Sequence, residues 1–309
     1  MRKQVILMLL CIALSACGGR SGPAPAADGI PSAAGANPAA GDRAAAVKPH
    51  AAEPAIAALT ETAGRPDALR ASSRLPRDIA IAAADEYQPQ TGKWFTGDGF
   101  NLISSLPSGD IQAGSEATVG LKPLPDGRSC RLQLTSRDQE GKRLELLAEQ
   151  TAGKGETDSN QIAVSFRMPE QPDANYVLSI EMLSPESEVE DTLLVPLFVP
   201  PNEVNARLAV NSPPEGSRSA AMTLYNAGPA DLQLGYGYEL YRAEDEDYVP
   251  VPFTQAVPAI GIHIEPGGTF DETITLPRGL ESGRYRVVKR FSAFLSDKAV
   301  DLAADFEIQ

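Results

Sequence analysis

Ala299-Val300-Asp301-Leu302-Ala303-Ala304-Asp305-Phe306-Glu307-Ile308 decides the fold. Val300, Leu302, Ala304, Phe306 and Ile308 fall on one side of an extended chain, and Asp301, Asp305 and Glu307 fall on the other. Successive side chains of a strand point to opposite faces, so this stretch reads as β-structure with one face in a core and one in water. The same period-two pattern recurs upstream, and helical 3.6-residue periodicity does not. Ala220, Met222 and Leu224 face one way, as do Tyr236, Tyr238 and Leu240, with further runs at 204–210, 249–253, 269–276 and 285–291. Lys289 breaks the pattern by falling on the side of Tyr285 and Val287, which points to a bulge or an exposed strand end.

A second strand series precedes this one. In Ile162-Ala163-Val164-Ser165-Phe166-Arg167-Met168 every second residue is large and apolar, and Tyr176, Leu178, Ile180 and Met182 repeat the pattern. Runs at 117–121, 131–135, 143–148 and 191–199 bring the series to about six or seven strands, the content of one β-sandwich. Pro200-Pro201-Asn202-Glu203 reads as a short, stiff joint, because proline fixes φ and donates no ladder hydrogen bond. The expected architecture is all-β, with two tandem sandwiches at residues 92–200 and 201–309.

The N-terminus has a different texture. Arg2 and Lys3 precede an apolar run from Val5 to Ala13, then Leu14-Ser15-Ala16-Cys17. The run is about half of the roughly 20 residues that a membrane-spanning helix needs, so it reads as an export signal. The tetrapeptide resembles a bacterial lipobox. That resemblance implies cleavage after residue 16, a lipid on Cys17, and attachment to the extracytoplasmic face of a membrane. Two or more acyl chains hold such an anchor where one is marginal. Residues 18–91 are rich in Ala, Gly and Pro, and no aromatic residue occurs from 18 to about 75. Such a segment buries too little apolar surface to offset its ordering entropy, so it is expected to be a flexible tether. Ile79-Ala80-Ile81-Ala82-Ala83-Ala84 is too short to hold a helix by itself.

Charge narrows the partners. The chain has 27 basic and 41 acidic residues, and losing Arg2 and Lys3 with the signal leaves a net charge of −16. That argues against nucleic acid as a partner and fits a self-repelling monomer in the envelope. With Cys11 in the signal and Cys17 lipidated, Cys130 is the remaining thiol, so no internal disulfide forms in the mature monomer. Cys130 lies on the apolar side of an alternating run and reads as a core residue. The two histidines, His50 and His263, supply no credible base for nucleophilic catalysis and no zinc set. Neither an enzyme nor a cofactor or metal site is expected.

Leu280-Glu281-Ser282-Gly283-Arg284-Tyr285 resembles the tyrosine corner of immunoglobulin-like sandwiches, in which a Tyr near the start of a strand bonds back to the preceding turn. Pro172-Asp173-Ala174-Asn175-Tyr176 is a looser version in the first sandwich. Further segments carry a wider resemblance: Asn226-Ala227-Gly228, Tyr238-Glu239-Leu240-Tyr241, Val249-Pro250-Val251-Pro252-Phe253, Ile264-Glu265-Pro266-Gly267-Gly268 and Ala304-Asp305-Phe306-Glu307-Ile308. In their order and spacing, residues from about 204 to 309 look like a bacterial Ig-like domain family. In that family an aromatic residue, often Trp, sits near the position of Tyr248. The family is similar to small modules on Gram-positive envelope proteins and, in outline, to a bacterial proteinase-inhibitor sandwich. Membership implies a fold and no activity.

Two acidic runs remain. Glu244-Asp245-Glu246-Asp247, flanked by Tyr241 and Tyr248, lacks the alternating spacing of a calcium loop and reads first as a solvated hairpin tip. Tyrosines beside it make it the candidate contact with a partner, or a calcium site. In a tandem array tethered at its N-terminus, this tip is expected at the end farthest from the tether. Glu186-Ser187-Glu188-Val189-Glu190-Asp191 reads as a loop kept solvated by charge repulsion. The functional expectation is a non-catalytic module for binding a protein or the cell wall. The rivals are a proteinase inhibitor using residues 252–261 and an accessory or chaperone subunit.

Overall fold

Strand runs of alternating burial build the chain, and a computed structural model describes residues 55–95, 102–153, 161–245, 247–253 and 258–309. A 3₁₀ turn (Ile56–Ala58), strand β1 (Thr62–Ala63) and helix α1 (Arg77–Ala82) come first. The first sandwich follows as β2 (Ile103–Ser105), β3 (Gly109–Asp110), β4 (Glu116–Leu121), β5 (Ser129–Arg137), β6 (Arg143–Gly153), β7 (Ile162–Arg167), β8 (Ala174–Leu183) and β9 (Val189–Val199). The second holds β10 (Ala206–Asn211), β11 (Ser219–Asn226), β12 (Leu232–Gly235), β13 (Glu239–Glu244), β14 (Asp247–Pro250), β15 (Gly261–Ile264), β16 (Thr269–Thr275), β17 (Gly283–Ala293) and β18 (Ala299–Ile308).

Each sandwich has two sheets. In the first, β2-β4-β7 faces β3-β9-β8-β5-β6. In the second, β1-β10-β11-β16 faces β14-β13-β17-β12-β15, with β18 also paired to β17. The chain is all-β, as two sandwiches. Alternation fills the cores: Cys130, Leu132 and Leu134 of β5 meet Tyr176, Leu178, Ile180 and Met182 of β8 in one, and Leu302, Ala304 and Phe306 of β18 meet Tyr285, Val287 and Phe291 in the other. Burial pushes the Cys130 thiol up to about 12, which leaves it protonated and inert at neutral pH.

The expected tether of residues 18–91 needs correction. Its first part, through residue 54, lies outside the described residues. Residues 55–91 form a strap that, continued to Phe95, runs the length of both sandwiches. The strap begins beside β14, and Thr60 accepts a bond from the Ala303 N–H (2.9 Å) while Glu61 accepts one from Leu208 (2.8 Å). β1 then pairs antiparallel with β10, Thr62 opposite Arg207 and Ala63 opposite Ala206. The strap therefore covers the free edges of β10 and β18, which would otherwise expose unpaired backbone groups. Gly64 at φ 62° lets it pass under Asn205, where a Cβ would collide with the Asn205 side chain and the Val204 carbonyl.

Residues on both sides of the Pro200-Pro201 joint bond the same strap. Buried Asn205 accepts the Arg65 N–H (2.7 Å) and donates to Glu203 (2.8 Å), which also pairs with Arg70. Ser73 bonds Asp173, and Leu75 N–H reaches Asn175 Oδ1 at 3.0 Å. Next, α1 docks on β9 with Ala80 and Ala84 buried. Six residues are too few for an isolated helix, so packing holds it. Farther on, buried Arg137 pairs with Glu86 (2.7 Å) and lies over the Tyr87 ring. Phe95 ends the strap at 0% exposure inside the first core. The expected boundary at 92 changes accordingly, since residues 55–70 join the second sandwich and 73–95 the first, while the joint at 201 stays between β9 and β10. All described residues lie in one compact unit.

Two strand expectations also change. The run containing Tyr236, Tyr238 and Leu240 is broken: Tyr236 and Tyr238 lie between β12 and β13, which share one edge of β17. Lys289 is neither at a bulge nor exposed. β17 pairs with β18 without a register shift, Lys289 opposite Leu302, and the side chain is 0% exposed. Its ammonium donates to the carbonyls of Gly235 (3.0 Å) and Gly237 (2.8 Å), inside the strand break, and to Glu272 Oε2 on the facing sheet (2.6 Å). The break frees carbonyls from the ladder, and the lysine takes their place as donor.

Candidate functional site

The acidic run builds a tight hairpin. β13 and β14 pair from Tyr241 opposite Pro250 to Glu244 opposite Asp247, with Asp245 at φ 51° in the turn. Glu244, Asp245 and Asp247 are exposed; Glu246 lies outside the described residues. Among the described residues no three His, Cys, Asp or Glu side chains gather to hold a metal ion.

Tyr241 and Tyr248 take different roles. Tyr241 Oη donates to Glu239 Oε2 (2.6 Å) on the outer face of β13. Tyr248 is half-buried. The Arg286 guanidinium lies 4.1 Å from its ring centroid, and its hydroxyl is 3.3 Å from Asp305. Asp305 accepts from both nitrogens of Arg286 (2.7 and 3.0 Å) and from Arg284. Burial alone would raise the Asp305 pKa, but the bonds from Arg286 and Arg284 outweigh it and hold it below the usual carboxylate range. Arg286 Nη1 donates to the Ile56 carbonyl at 2.8 Å. Tyr248 thus orients the arginine that receives the strap. Arg286 alternates with Tyr285 and Val287 and so leaves the core face, and its partner lies 230 residues away in the sequence.

The strap also overturns the expected position of the hairpin. Residues 56–59 lie at the same end of the second sandwich as Arg286 and β14, so the hairpin lies beside the start of the described chain. A groove of about 310 Å³ separates the strap from β13, bounded by Ile56 and Leu59 on one side and by Tyr236 to Tyr241 on the other.

The tyrosine corners differ. Tyr285 is 0% exposed, and its hydroxyl donates to the Glu281 carbonyl at 2.8 Å. Gly283, at φ 148°, shapes the turn between them. Tyr176 is equally buried in β8, but among the described residues its hydroxyl makes no hydrogen bond back to the preceding turn. Its ring serves the core, and Asp173 in that turn is engaged with Ser73 of the strap instead. Tyr285→Phe is expected to lower stability by about 0.5–1.5 kcal/mol, the net value of one hydrogen bond. Chemical denaturation checks this, and the slope should stay unchanged.

The second acidic run is not simply solvated. Asp191 is 1% exposed and accepts from the backbone N–H groups of Thr91 (2.7 Å), Trp94 (2.7 Å) and Phe95 (2.8 Å). Glu190 pairs with Arg128 (2.7 Å) and Lys93 (2.8 Å) and accepts the Trp94 indole N–H (2.8 Å). Hydrogen bonds from Arg128 and Lys93 hold Glu190 down to about 2. These two carboxylates fasten the far end of the strap. Glu186 and Glu188 stay exposed as expected, and His263 is exposed, edge-on to Phe294. Cys17 lies outside the described residues.

The second sandwich has a recognisable pattern. Residues 202–307 match the family model of a bacterial Ig-like domain. The Ig-like domain accounts for about a third of the chain, and β1 and the rest of the strap fall outside it. No curated protein matches the chain. Among solved structures, red sea bream transglutaminase is 10% identical over 75% of this chain and 33% of its own length, with a TM-score of 0.26. The FN1–FN3 domains of chicken CNTN1 are 12% identical over 65% of this chain and 66% of their own length, at 0.29. The CsuC–CsuE chaperone–tip adhesion subunit complex of Acinetobacter baumannii is 12% identical over 65% of this chain and 97% of its own length, at 0.25. This chain therefore spans a third of the transglutaminase and just under two thirds of the CNTN1 fragment. Likeness at this level carries no argument about function.

Proposed function

We propose that this chain is an extracytoplasmic lipoprotein, anchored through Cys17, that presents a rigid pair of sandwiches for non-catalytic interaction with a protein or the cell wall. The strap carries this reading. Its bonds at Ala303, Asn205, Asn175 and Asp191 tie two sandwiches into one body, which suits holding a surface in place. The inward carboxylates are each engaged: Asp191 with strap amides, Glu181 with Arg131 and Glu272 with Lys289. The strap also reaches the described chain's start at the Ig-like domain, so on an N-terminal anchor that domain is the membrane-proximal one and the first sandwich faces outward.

The Cys17→Ser variant tests the anchor. Wild-type protein is expected to partition into the detergent phase and the membrane fraction, and the variant into the aqueous phase, since each lost acyl methylene forfeits about 0.8 kcal/mol of membrane affinity. Equal partitioning of both would refute the anchor. Capture from envelope extract with soluble residues 18–309 tests the interaction role.

A further inference from the structure

The groove beside the strap is lined by charged as well as aromatic residues. Its lining includes Tyr236, Tyr238, Tyr241, Glu239, Arg290 and Asp301. The rings are fixed in advance. Tyr236 stands edge-on to Phe270 at 5.6 Å, Tyr238 stacks on Phe253 at 5.6 Å and bonds the Thr275 carbonyl, and Tyr241 bonds Glu239. Tyr236 remains 39% exposed. Pre-organised tyrosines lose little entropy when a ligand arrives, which is why such residues anchor interfaces. Arg290 meets both oxygens of Asp301 at 2.8 Å, so that pair is neutral. Glu239 forms no ion pair among the described residues and leaves the groove negative. β13 then leads into Glu244, Asp245 and Asp247, and no basic residue occurs from 243 to 250.

Tyrosine faces and a carboxylate together attract a cation. An anionic ligand would meet this local charge and the chain's net −14. A basic segment would be steered by both. We propose that the groove and the adjoining hairpin dock a basic peptide segment of a partner protein. One Lys or Arg side chain enters between Tyr236 and Tyr241 against Glu239, backed by Tyr238, whose ring is held in the core, and neighbouring basic residues face Glu244, Asp245 and Asp247. This rests on the interaction role proposed above and names its site and partner chemistry. Ile56 and Leu59 form the other wall, so a bound segment would also hold the strap in place.

Fluorescence anisotropy on the full-length protein tests it, with a labelled Lys/Arg-rich peptide as probe and a Glu-rich peptide and chitotetraose as comparators. Saturable, salt-sensitive binding of the basic peptide alone is expected. Tyr241→Ala with Glu239→Gln should weaken it about tenfold or more, and the isosteric Glu239→Gln change alone about threefold. Removing the same kind of charge elsewhere, by Glu186→Gln with Glu188→Gln, should change affinity less than about twofold. Three results would overturn the proposal: no saturable binding of the basic peptide, equal losses from both charge-removing sets, or chitotetraose bound with the same sensitivity to Tyr241. A captured protein partner indifferent to Tyr241→Ala would leave the interaction role standing and remove only this site.

Discussion

Lys289→Met is expected to destabilise the second sandwich by about 3–5 kcal/mol, the usual result of removing one partner from a buried ion pair. The substitution fits the volume and the apolar surroundings, and that is why the outcome is informative. It leaves the Glu272 carboxylate, 6% exposed, without its cation, and it leaves the Gly235 and Gly237 carbonyls without a donor. Unmade buried bonds cost about 1–3 kcal/mol each. Glu272→Gln should also destabilise, because the buried ammonium loses its counter-charge, but by less, because Lys289 keeps the amide oxygen and both glycine carbonyls as acceptors. Adding Glu272→Met to Lys289→Met should recover part of the loss, since the orphaned charge is then gone. Equilibrium denaturation of the three variants checks the order. A Lys289→Met variant as stable as wild type would mean that the strand break does not need its donor.

Asp191→Ala is expected to cost about 3–5 kcal/mol and to free the end of the strap. Three amides, those of Thr91, Trp94 and Phe95, converge on this one carboxylate, and bonds to a charged acceptor are worth about 1.5–3 kcal/mol each before any compensation. Phe95 would lose its fixed approach to the core. Burial pushes the Asp191 pKa up, but the Phe95, Trp94 and Thr91 amides outweigh it and hold the group below its ordinary 3.8. Glu190 beside it is held at about 2 against an ordinary 4.5. Both are depressed in the folded state, so the unfolded chain binds more protons as pH falls. Their stabilisation is complete above about pH 4.5 and is lost as pH falls, in the case of Glu190 toward about 2. Denaturation midpoints across that range should fall for wild type and fall less steeply for Asp191→Asn. Parallel slopes would place the acid sensitivity elsewhere.

The strands of both sandwiches were legible because alternation is a local signal. The inward face of Val300 to Ile308 is legible, although its outer face meets the strap at Ala303 in place of water, and Tyr285 is legible from the Gly283 turn before it. Lys289 was not, because its reason is not local. Its acceptors are a strand break near Gly237 and a carboxylate on the facing sheet, and from the sequence an inward lysine is indistinguishable from a strand end. The strap was missed for a related reason. Its composition is too poor in apolar residues to build a core, but it builds none: it borrows order from the edges of β10 and β18 and from Asn205, Asn175 and Asp191. The faint signals were Tyr87, Trp94 and Phe95 at its end, and an acid, Asp191, opening an otherwise apolar strand. The proposed docking groove is only half legible in the sequence. The hairpin and Tyr241 were flagged, but Tyr248 proved to be tied to Arg286, and the groove depends on Ile56 and Leu59 arriving from the other end of the sequence.

Hydrogen exchange of individual amides in the full-length protein tests most directly whether residues 55–95 lock the two sandwiches together. The amides of Arg65, Arg70, Leu75, Thr91, Trp94 and Phe95, each hydrogen bonded to one sandwich or the other, are expected to exchange far more slowly than free chain, with those at Trp94 and Phe95 approaching the slowest core strands. Exchange of all six at the rate of an unstructured peptide would contradict the account and return this segment to a tether.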